Sequence, residues 1–335
     1  MKTPPLNANP LELLPGYCLD QYWDNRKTLA YGLLNWEYNC MYQLKPKSLR
    51  GRRQVLHLLT MQTNHVHRPG GLMHNPSSPQ GTFSILVFKN IEGKACYGRM
   101  KLKSGDIIFF DDEYTHNFIN SGEIEFTAIT IQKSSLGALL PKLTQIINHS
   151  THDTDAQLAL TLQDIWNRFT EPSIQKRTQG FQQAEDAILG VVKKILANQT
   201  AKIPKLTAGE KTALAIRNQV FHHMDGNVTI QSLAEQYLIS EQTLQNSFKS
   251  LFGFTPNIFL RVLKLNLVHQ ELLISNPGKK TVSQIAYKWG FTHMGRFSKY
   301  YTELFEQNPS ETLKSVNSDV VNIKALCVAR KEEAI

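Results

Sequence analysis

The sequence lacks the features that mark disulfide-rich, zinc-binding and membrane proteins. Its four cysteines, Cys18, Cys40, Cys96 and Cys327, show no CxxC or ligand-like spacing, so we expect free thiols in a reducing compartment. No apolar run approaches the roughly 20 residues that span a bilayer, and the first residues lack the apolar stretch of a secretory signal. These absences predict a cytoplasmic protein with no membrane partner.

Acidic residues are the scarcer charged class. The chain has 37 lysines and arginines against 28 aspartates and glutamates, a formal net charge of +9. This excess favours a polyanionic partner such as nucleic acid, although an anionic membrane surface would satisfy it equally. The basic residues are spread over the whole chain, so charge does not locate a site. A length of 335 residues with 41% hydrophobic residues predicts two globular domains.

Short β-rich runs occupy residues 82–133. They are separated by turn signals such as EG, SGD and NSGE and read FSILVFKN, KACYGRMKL, DIIFFDDE and EIEFTAITIQ. Several strands this close together predict a sandwich or a small barrel. Residues 1–50 show no clear period, and we expect them to be mostly irregular, with strands near 28–43.

Helical periodicity begins after Ser135. The helical segments are LGALLPKLTQII, DAQLALTLQDIWNRF and FQQAEDAILGVVKKILANQ. One face of the last helix, residues 180–199, carries Ala187, Ile188, Val191, Val192 and Ile195. This face is either a dimerisation element or the surface that packs on the β domain of its own chain. The proline-containing segment QTAKIPK then predicts a linker at 201–206.

An internal repeat dominates the C-terminal third. Thr229, Ile230, Leu233 and Ala234 recur 52 residues later as Thr281, Val282, Ile285 and Ala286. Leu244, Phe248, Phe252 and Pro256 recur 53 residues later as Phe297, Tyr301, Phe305 and Pro309. The fixed apolar spacing on both sides of a slip of one residue predicts two helix-turn-helix units, the second with a turn one residue longer.

Capping signals place the helix starts of this region. Thr207 precedes Glu210, Thr281 precedes Gln284, and Asn308 precedes Glu311 by three residues, the pattern of a capping box. The predicted helices are 208–224, 229–237, 241–252, 256–275, 282–289, 294–306 and 309–314. The fourth is a spacer of about 30 Å at 1.5 Å per residue, which suits two recognition helices roughly 34 Å apart on one face of DNA.

These segments resemble the AraC/XylS family. The resemblance rests on QSLAEQYLISEQTLQNSFKSLFGFTP and IAYKWGFTHMGRFSKYYTELFEQNPSE, and SGDIIFFDDEYTHNF at 104–118 resembles a strand of cupin-like sensor domains. Together these resemblances imply an α+β chain with an N-terminal cupin-like β domain and flanking helices at 1–200. An all-α, seven-helix double helix-turn-helix domain follows at 207–314, and a tail at 315–335.

The resemblance also implies roles for individual residues. Base-facing side chains are expected at Gln242, Gln245, Asn246, Arg296, Ser298 and Lys299, because amides suit adenine and arginine or lysine suits guanine. Phosphate contacts are expected at Thr229, Lys249, Thr281 and Lys288, and Lys264 is expected to contact phosphate or to be a solvated surface charge. The expected core is Leu233, Ala234, Leu244, Phe248, Ile285, Ala286, Trp289, Phe291, Phe297 and Phe305.

Four positions depart from the family pattern. The family usually has arginine where Asn246 stands, glycine where Leu238 and Glu306 stand, and serine where Gly295 stands. The first unit is therefore expected to contribute less affinity than usual. Glu306 adds repulsion if it lies near the DNA backbone.

The leading prediction is a sequence-specific transcription regulator, most readily an activator. Its expected partners are promoter DNA, RNA polymerase, a second copy of the chain and a small-molecule effector in the N-terminal domain, and it acts at the nucleoid. No enzyme activity, catalytic residue, cofactor or metal is expected. One alternative is a cupin-type metalloenzyme or sensor using His65, His67 and His116, although no glutamate follows HVH closely. The other is a nonspecific nucleoid protein.

Overall fold

The computed structural model describes residues 11–23, 37–47, 49–113, 117–147, 149–170, 178–198 and 205–315. The chain divides into two compact structural units. The N-terminal unit comprises residues 1–38, 49–70 and 75–205, and the helical unit comprises residues 39–48, 71–74 and 206–335. The helical unit therefore includes two short segments from the N-terminal half of the sequence.

Twelve strands are found within the described residues. Their bounds are β1 Cys18–Trp23, β2 Glu37–Gln43, β3 Gly51–His57, β4 Met61–Arg68, β5 Leu72–Ser77, β6 Thr82–Ile91, β7 Ala95–Tyr97, β8 Met100–Leu102, β9 Asp106–Asp111, β10 Phe118–Asn120, β11 Ile124–Gln132 and β12 Ser150–His152. They form a seven-stranded sheet, in the order β1-β3-β4-β11-β6-β9-β12, and a five-stranded sheet, in the order β2-β5-β10-β7-β8. The pairs β1–β3, β3–β4, β4–β11, β6–β11, β6–β9, β9–β12, β7–β8 and β7–β10 are antiparallel.

The described residues of the N-terminal unit include three α-helices: α1 (Leu140–Thr144), which lies between β11 and β12, and α2 (Gln157–Thr170) and α3 (Thr178–Asn198), which follow β12. The face of α3 that carries Ile188, Val192 and Ile195 is buried in one core with Ile85 and other residues of the large sheet. Ala187, assigned to that face from the sequence, is exposed. The apolar face of α3 thus packs on the β domain of its own chain, the second of the two sequence-based alternatives.

A second apolar cluster lies on the other face of the large sheet. It joins Leu86, Phe88 and Phe110 of that sheet to Tyr97 and Phe118 of the smaller sheet. Successive residues of a strand point to opposite faces, which is why Ile85 and Leu86 belong to different clusters. The strands between 82 and 133 carry this core, as their apolar runs predict.

Several strands lie outside the β-rich runs of the sequence. The interpretation of residues 1–50 as mostly irregular is wrong for β1, whose side chains are largely half-exposed and show no alternation. Strand β4 reads MQTNHVHR, and most of these polar residues are buried. Strand β12 lies within the stretch interpreted as helical and pairs with β9. Sequence periodicity fails here because burial does not follow residue polarity.

Residues 205–315, all of which are described, form seven helices. They are α4 Ala208–His222, α5 Ile230–Gln236, α6 Glu241–Phe252, α7 Pro256–Ile274, α8 Val282–Lys288, α9 Met294–Phe305 and α10 Pro309–Lys314. Each lies within two residues of its predicted bounds. The α+β class, with antiparallel sheets first and helices last, is confirmed, and the tail beyond Ser315 lies outside the described residues.

Among the described residues, no single helix has both the length and the apolar composition needed to cross a membrane. Helices α6 and α7 pass that test only when taken together, and they meet at a bend of 66°.

Candidate DNA interface

Helices α5 and α6 form the first helix-turn-helix. Leu244 and Phe248 on the inner side of α6 are buried, which leaves the opposite side for polar residues. Gln242 and Asn246 are exposed there and Gln245 is half-exposed. The Gln242 amide donates to Asn246 Oδ1 at 3.1 Å, so the two side chains form one hydrogen-bonded pair on the outer face.

Helices α8 and α9 repeat this arrangement in the second unit. Phe297 and Tyr301 are buried, whereas Arg296, Ser298 and Lys299 are exposed. Lys299 Nζ lies 3.9 Å from a carboxylate oxygen of Glu303 one turn along the helix. The predicted base-facing residues of α9 thus include two cations, whereas those of α6 are uncharged amides.

The connections between the paired helices differ by one residue, as the change of repeat offset predicts. Residues 237–240 join α5 to α6, and residues 289–293 join α8 to α9. The same hydrogen bond closes both turns: the Ile239 N–H donates to the Ala234 carbonyl, and the Phe291 N–H donates to the Ala286 carbonyl, both at 3.0 Å. The extra residue therefore enters after the turn and leaves its geometry unchanged.

The proposed phosphate contacts lie in different environments. Thr229 and Thr281 are exposed and cap α5 and α8, their hydroxyls accepting from the Ser232 N–H and the Gln284 N–H at 3.1 and 3.2 Å. The side chain of Lys249 is exposed. Residue Lys288 is also exposed, but its Nζ pairs with a carboxylate within the protein.

That carboxylate belongs to Glu271 near the end of α7. It accepts from Lys280 Nζ at 2.7 Å, Lys288 Nζ at 2.8 Å and Trp289 Nε1 at 2.9 Å. Burial acts to raise the pKa of the Glu271 carboxyl, but these three hydrogen bonds outweigh burial, and the net pKa lies below its ordinary value. An ionised Glu271 thus joins the spacer helix to the second helix-turn-helix.

Lys264, also on α7, has a structural role that sequence reasoning missed. Its Nζ donates to the carbonyls of Gly226 and Val228 at 2.8 and 3.0 Å, and burial lowers its pKa. The expectation of a phosphate contact or a solvated surface charge is therefore wrong. Backbone carbonyls of the loop before α5 thus accept from a half-buried ammonium, but no sequence pattern identifies them.

The two helix-turn-helix units meet next to this lysine. A Cβ added to Gly290 would overlap the carbonyl oxygen of Gly226, and one added to Gly226 would overlap the carbonyl oxygen of Lys288. Gly290 also has φ +82°, in the region that favours glycine. The turn of the second unit therefore packs backbone to backbone against the loop that precedes the first.

Most residues expected in the core are buried, but Trp289, Phe291 and Phe305 are only partly so. Phe291 packs on Phe297 with ring centroids 5.1 Å apart. Phe305 stacks on His269 of α7 at 4.2 Å. These aromatic rings pack on their neighbours but stay partly exposed, so the expectation that they are core residues holds only in part.

The spacer helix contacts the second recognition helix directly. The guanidinium of Arg261 lies 4.2 Å from the centroid of the Tyr300 ring, a cation–π contact. His269 Nδ1 and the Tyr301 hydroxyl are 2.6 Å apart, and that hydroxyl donates to Thr312 Oγ1 at 3.0 Å. With 19 residues, α7 is about 28 Å long, which is compatible with one turn of DNA.

Comparisons with known proteins match this same region. A family model described as "Helix-turn-helix domain" matches residues 233–315. The probable thc operon regulatory protein of Rhodococcus erythropolis is 33% identical over 94 residues, 28% of each chain. The XylDLEGF operon transcriptional activator of Pseudomonas putida is 32% identical over 94 residues, 28% of this chain and 29% of its own.

The chain spans less than a third of the length of these relatives. Among solved structures, the AraC-like transcriptional activator CuxR aligns with 81% of this chain and 99% of its own, at 11% identity and a TM-score of 0.43. The local sequence match and the paired helices agree on the same residues. Residues 233–315 are therefore a helix-turn-helix domain of the AraC/XylS type, and the two relatives named above are described as an operon regulatory protein and a transcriptional activator.

Proposed function

We propose that this protein is a sequence-specific DNA-binding regulator of transcription. The observation that carries the proposal is the pair of helix-turn-helix units, each presenting a recognition helix with a buried apolar side and an exposed polar side. Phosphate contacts position such a protein, whereas side chains that reach base edges specify sequence. Two exposed polar helices on one spacer provide two sets of such side chains.

The two recognition helices carry different chemistry for reading bases. Gln242, Gln245 and Asn246 on α6 suit adenine, since a side-chain amide can accept from the N6 amino group and donate to N7 in a bidentate pair. Arg296 and Lys299 on α9 suit guanine O6 and N7, and Ser298 suits either. We assign backbone phosphate contacts to Thr229, Lys249 and Thr281. Lys288 can make such a contact only if its ammonium group leaves the carboxylate of Glu271.

Genome-wide occupancy of the tagged full chain in its own host is the first test. Discrete peaks at promoters, followed by a footprint of about two helical turns per protomer on the strongest site, would support the proposal. Purified protein should prefer that site over random DNA by about 10³-fold or more. Equal affinity for both would replace the proposal with a nonspecific nucleoid protein.

Activation through RNA polymerase and action as a homodimer are further parts of the proposal. The relatives described as transcriptional activators support activation. Expression of a reporter behind the footprinted promoter, with and without the protein, decides between activation and repression. Sedimentation of the full chain at micromolar concentration decides between monomer and dimer. We further propose that the protein acts in the cytoplasm, at the nucleoid, and has no enzyme activity or cofactor.

A small-molecule effector is proposed for the interior of the N-terminal unit. Gln62 and Asn64 of β4 lie on the sheet face that carries Leu86, and both are almost fully buried. Gln62 Nε2 and Asn64 Oδ1 have no hydrogen-bond partner among the described residues. Unpaired buried polar atoms are costly, and a neutral effector that accepts one hydrogen bond and donates another would satisfy both.

A thermal-shift screen of the full chain with neutral polyhydroxylated and amide compounds tests this effector site. A compound that raises the melting temperature of the wild type but not of Asn64→Leu would support it. A compound that stabilises both proteins equally would place its binding elsewhere.

The metalloenzyme alternative receives no support from the histidines that suggested it. His65 Nε2 lies 3.3 Å from Glu125 and His67 Nε2 lies 3.1 Å from Glu123, and His116 lies outside the described residues. Within the described part of the chain, no group of three or more histidines, cysteines or acids is arranged to hold a metal. Stoichiometric iron, manganese or zinc in the purified protein would restore this alternative.

A further inference from the structure

The helical unit contains a segment from the N-terminal half of the sequence. Residues 39–48 belong to this unit together with the helices of residues 206–315. Within the segment, Tyr42, Gln43 and Leu44 are all buried. The ring of Tyr42 packs edge-on against Phe221 of α4, with centroids 5.4 Å apart. A stretch of extended backbone is thus part of the core of the helical unit.

One asparagine of the spacer helix holds the backbone of this segment. Asn266 Oδ1 accepts from the Gln43 N–H at 2.9 Å, and Asn266 Nδ2 donates to the Gln43 carbonyl at 2.8 Å. The side-chain amide therefore pairs with Gln43 as a neighbouring β-strand would. Asn266 is fully buried, and without the segment its amide would lose both bonds. A buried asparagine in the middle of α7 is explained by this pairing.

The side chain of Gln43 continues to the second recognition helix. Its Nε2 donates to the carbonyl of Leu304 at 2.7 Å, in a buried environment. Leu304 lies in the last turn of α9, where carbonyls have no partner within the helix. Gln43 therefore caps the end of α9 from outside the helix. One residue connects the spacer, through its backbone, with α9, through its side chain.

We propose that Gln43 is a positioning residue for DNA recognition, because it fixes α9 relative to the spacer helix α7. This role rests on the proposed function of the helix-turn-helix units. First, loss of the Gln43 side chain should loosen the end of α9 while α6 keeps its packing. Second, the variant should lose affinity for the half-site read by α9 and keep affinity for the half-site read by α6.

The test uses the full chain with Gln43→Met, which keeps the length of the side chain but cannot donate to Leu304. Gln54→Met is the matched control, because Gln54 is a strand glutamine of the N-terminal unit whose side chain donates to the exposed Asp20. Amide hydrogen exchange at residues 303–308 should quicken about fivefold in Gln43→Met, the effect of one net hydrogen bond. Exchange across α6 should match that of the control.

Affinity is then measured for the footprinted duplex and for a duplex in which the half-site of α9 is scrambled. Gln43→Met should bind the intact duplex about fivefold more weakly than the control does, and both proteins should bind the scrambled duplex equally. Asn266→Asp provides a second variant, since it keeps the acceptor for the Gln43 N–H and turns the donor into a carboxylate oxygen. This variant should also bind the intact duplex more weakly than the control does.

Three outcomes would overturn the inference. Unchanged exchange at residues 303–308 would show that Gln43 does not hold α9. Faster exchange with unchanged affinity for the intact duplex would show that the contact has no part in recognition. Equal weakening on both duplexes would indicate a general loss of stability. If the wild type itself fails to distinguish the duplexes, the proposed function fails, and hydrogen exchange alone decides whether Gln43 holds α9.

Discussion

The two helix-turn-helix units differ most clearly at two backbone positions that both must place in the left-handed region. The first unit has Leu238 in its turn, with φ +51°, and Gly253 after α6, with φ +75°. The second unit has Gly290 in its turn, with φ +82°, and Glu306 after α9, with φ +56°. Each unit thus has glycine at one of the two positions and a side chain with backbone strain at the other.

The different position of the glycine in the two helix-turn-helix units follows from what surrounds each turn. The turn of the second unit packs on the Gly226 carbonyl, which leaves no room for a Cβ at Gly290. The turn of the first unit has open surroundings, since Leu238 is 95% exposed. A left-handed residue in open space costs only its backbone strain. The repeat therefore teaches that glycine is required where two backbones meet and is dispensable where one faces solvent.

The largest expected effect comes from Gly290→Ala. The added methyl group meets the Gly226 carbonyl and places alanine at positive φ, so the free energy of unfolding should fall by about 3 kcal/mol. Gly295→Ala is the matched control: it lies in the first turn of α9 with nothing within 4 Å of its added Cβ. It should stabilise by up to about 1 kcal/mol. Urea denaturation that ranks the two variants equally would refute the backbone contact.

Glu271→Gln tests the ion pairs that join α7 to Lys280 and to Lys288 of the second helix-turn-helix. Removing the charge that serves Lys280, Lys288 and Trp289 should cost about 2 kcal/mol at neutral pH. Because the folded-state pKa of Glu271 is lowered, its stabilisation is complete above the ordinary glutamate pKa of about 4.3 and is lost as pH falls through the folded-state value.

The melting temperature of wild type minus that of Glu271→Gln, followed from pH 6 downwards, measures this contribution directly. The difference should shrink as the carboxyl of the wild type becomes protonated. A difference that stays constant across the ordinary glutamate pKa would contradict a role for the ionised carboxylate.

Arg296→Ala and Gln245→Ala compare the reading of DNA by the two units. Each should cost about 1–3 kcal/mol at its own base position if it makes a bidentate contact. Arg296 carries a charge, so its loss should also reduce the salt dependence of binding, while loss of Gln245 should not. Affinities for a set of singly substituted sites would show this. A uniform loss across all sites would mean that Arg296 contacts phosphate alone.

The smallest expected effects are stabilising. Leu238→Gly and Glu306→Gly each relieve a strained backbone and should raise the free energy of unfolding by about 1 kcal/mol. Leu238→Ala, which keeps a Cβ at the same φ, is the matched control and should bring little gain. Thermal denaturation of the three variants decides whether the strain at Leu238 lies in its backbone or only in its exposed side chain.

Local signals in the sequence predict the helical unit well. The capping boxes at Thr207 and Thr281 and the apolar repeat place every helix from 208 to 314 within two residues, because these signals act within a single turn or helix. The added residue between α8 and α9 is also readable, as the change in repeat offset.

Long-range pairings could not be predicted in this way. Gln43 and Asn266 are 223 residues apart, and Lys264 finds its acceptors 36 and 38 residues away. Nothing local distinguishes these side chains from others of their type. Strand β4 was missed for a related reason, since its buried polar residues, such as Gln62, show no alternation with apolar ones. The base-facing and phosphate-contacting residues of the site stay predictions.

The contact between Gly226 and the turn at Gly290 is made by main-chain atoms, and none of the exposed side chains on α6 or α9 takes part in it. Substitutions that change which bases are read thus leave unaltered the surface on which the two units meet. If α6 and α9 read bases as proposed, single substitutions of their exposed side chains can change the preferred DNA site without altering the contact between the two helix-turn-helix units.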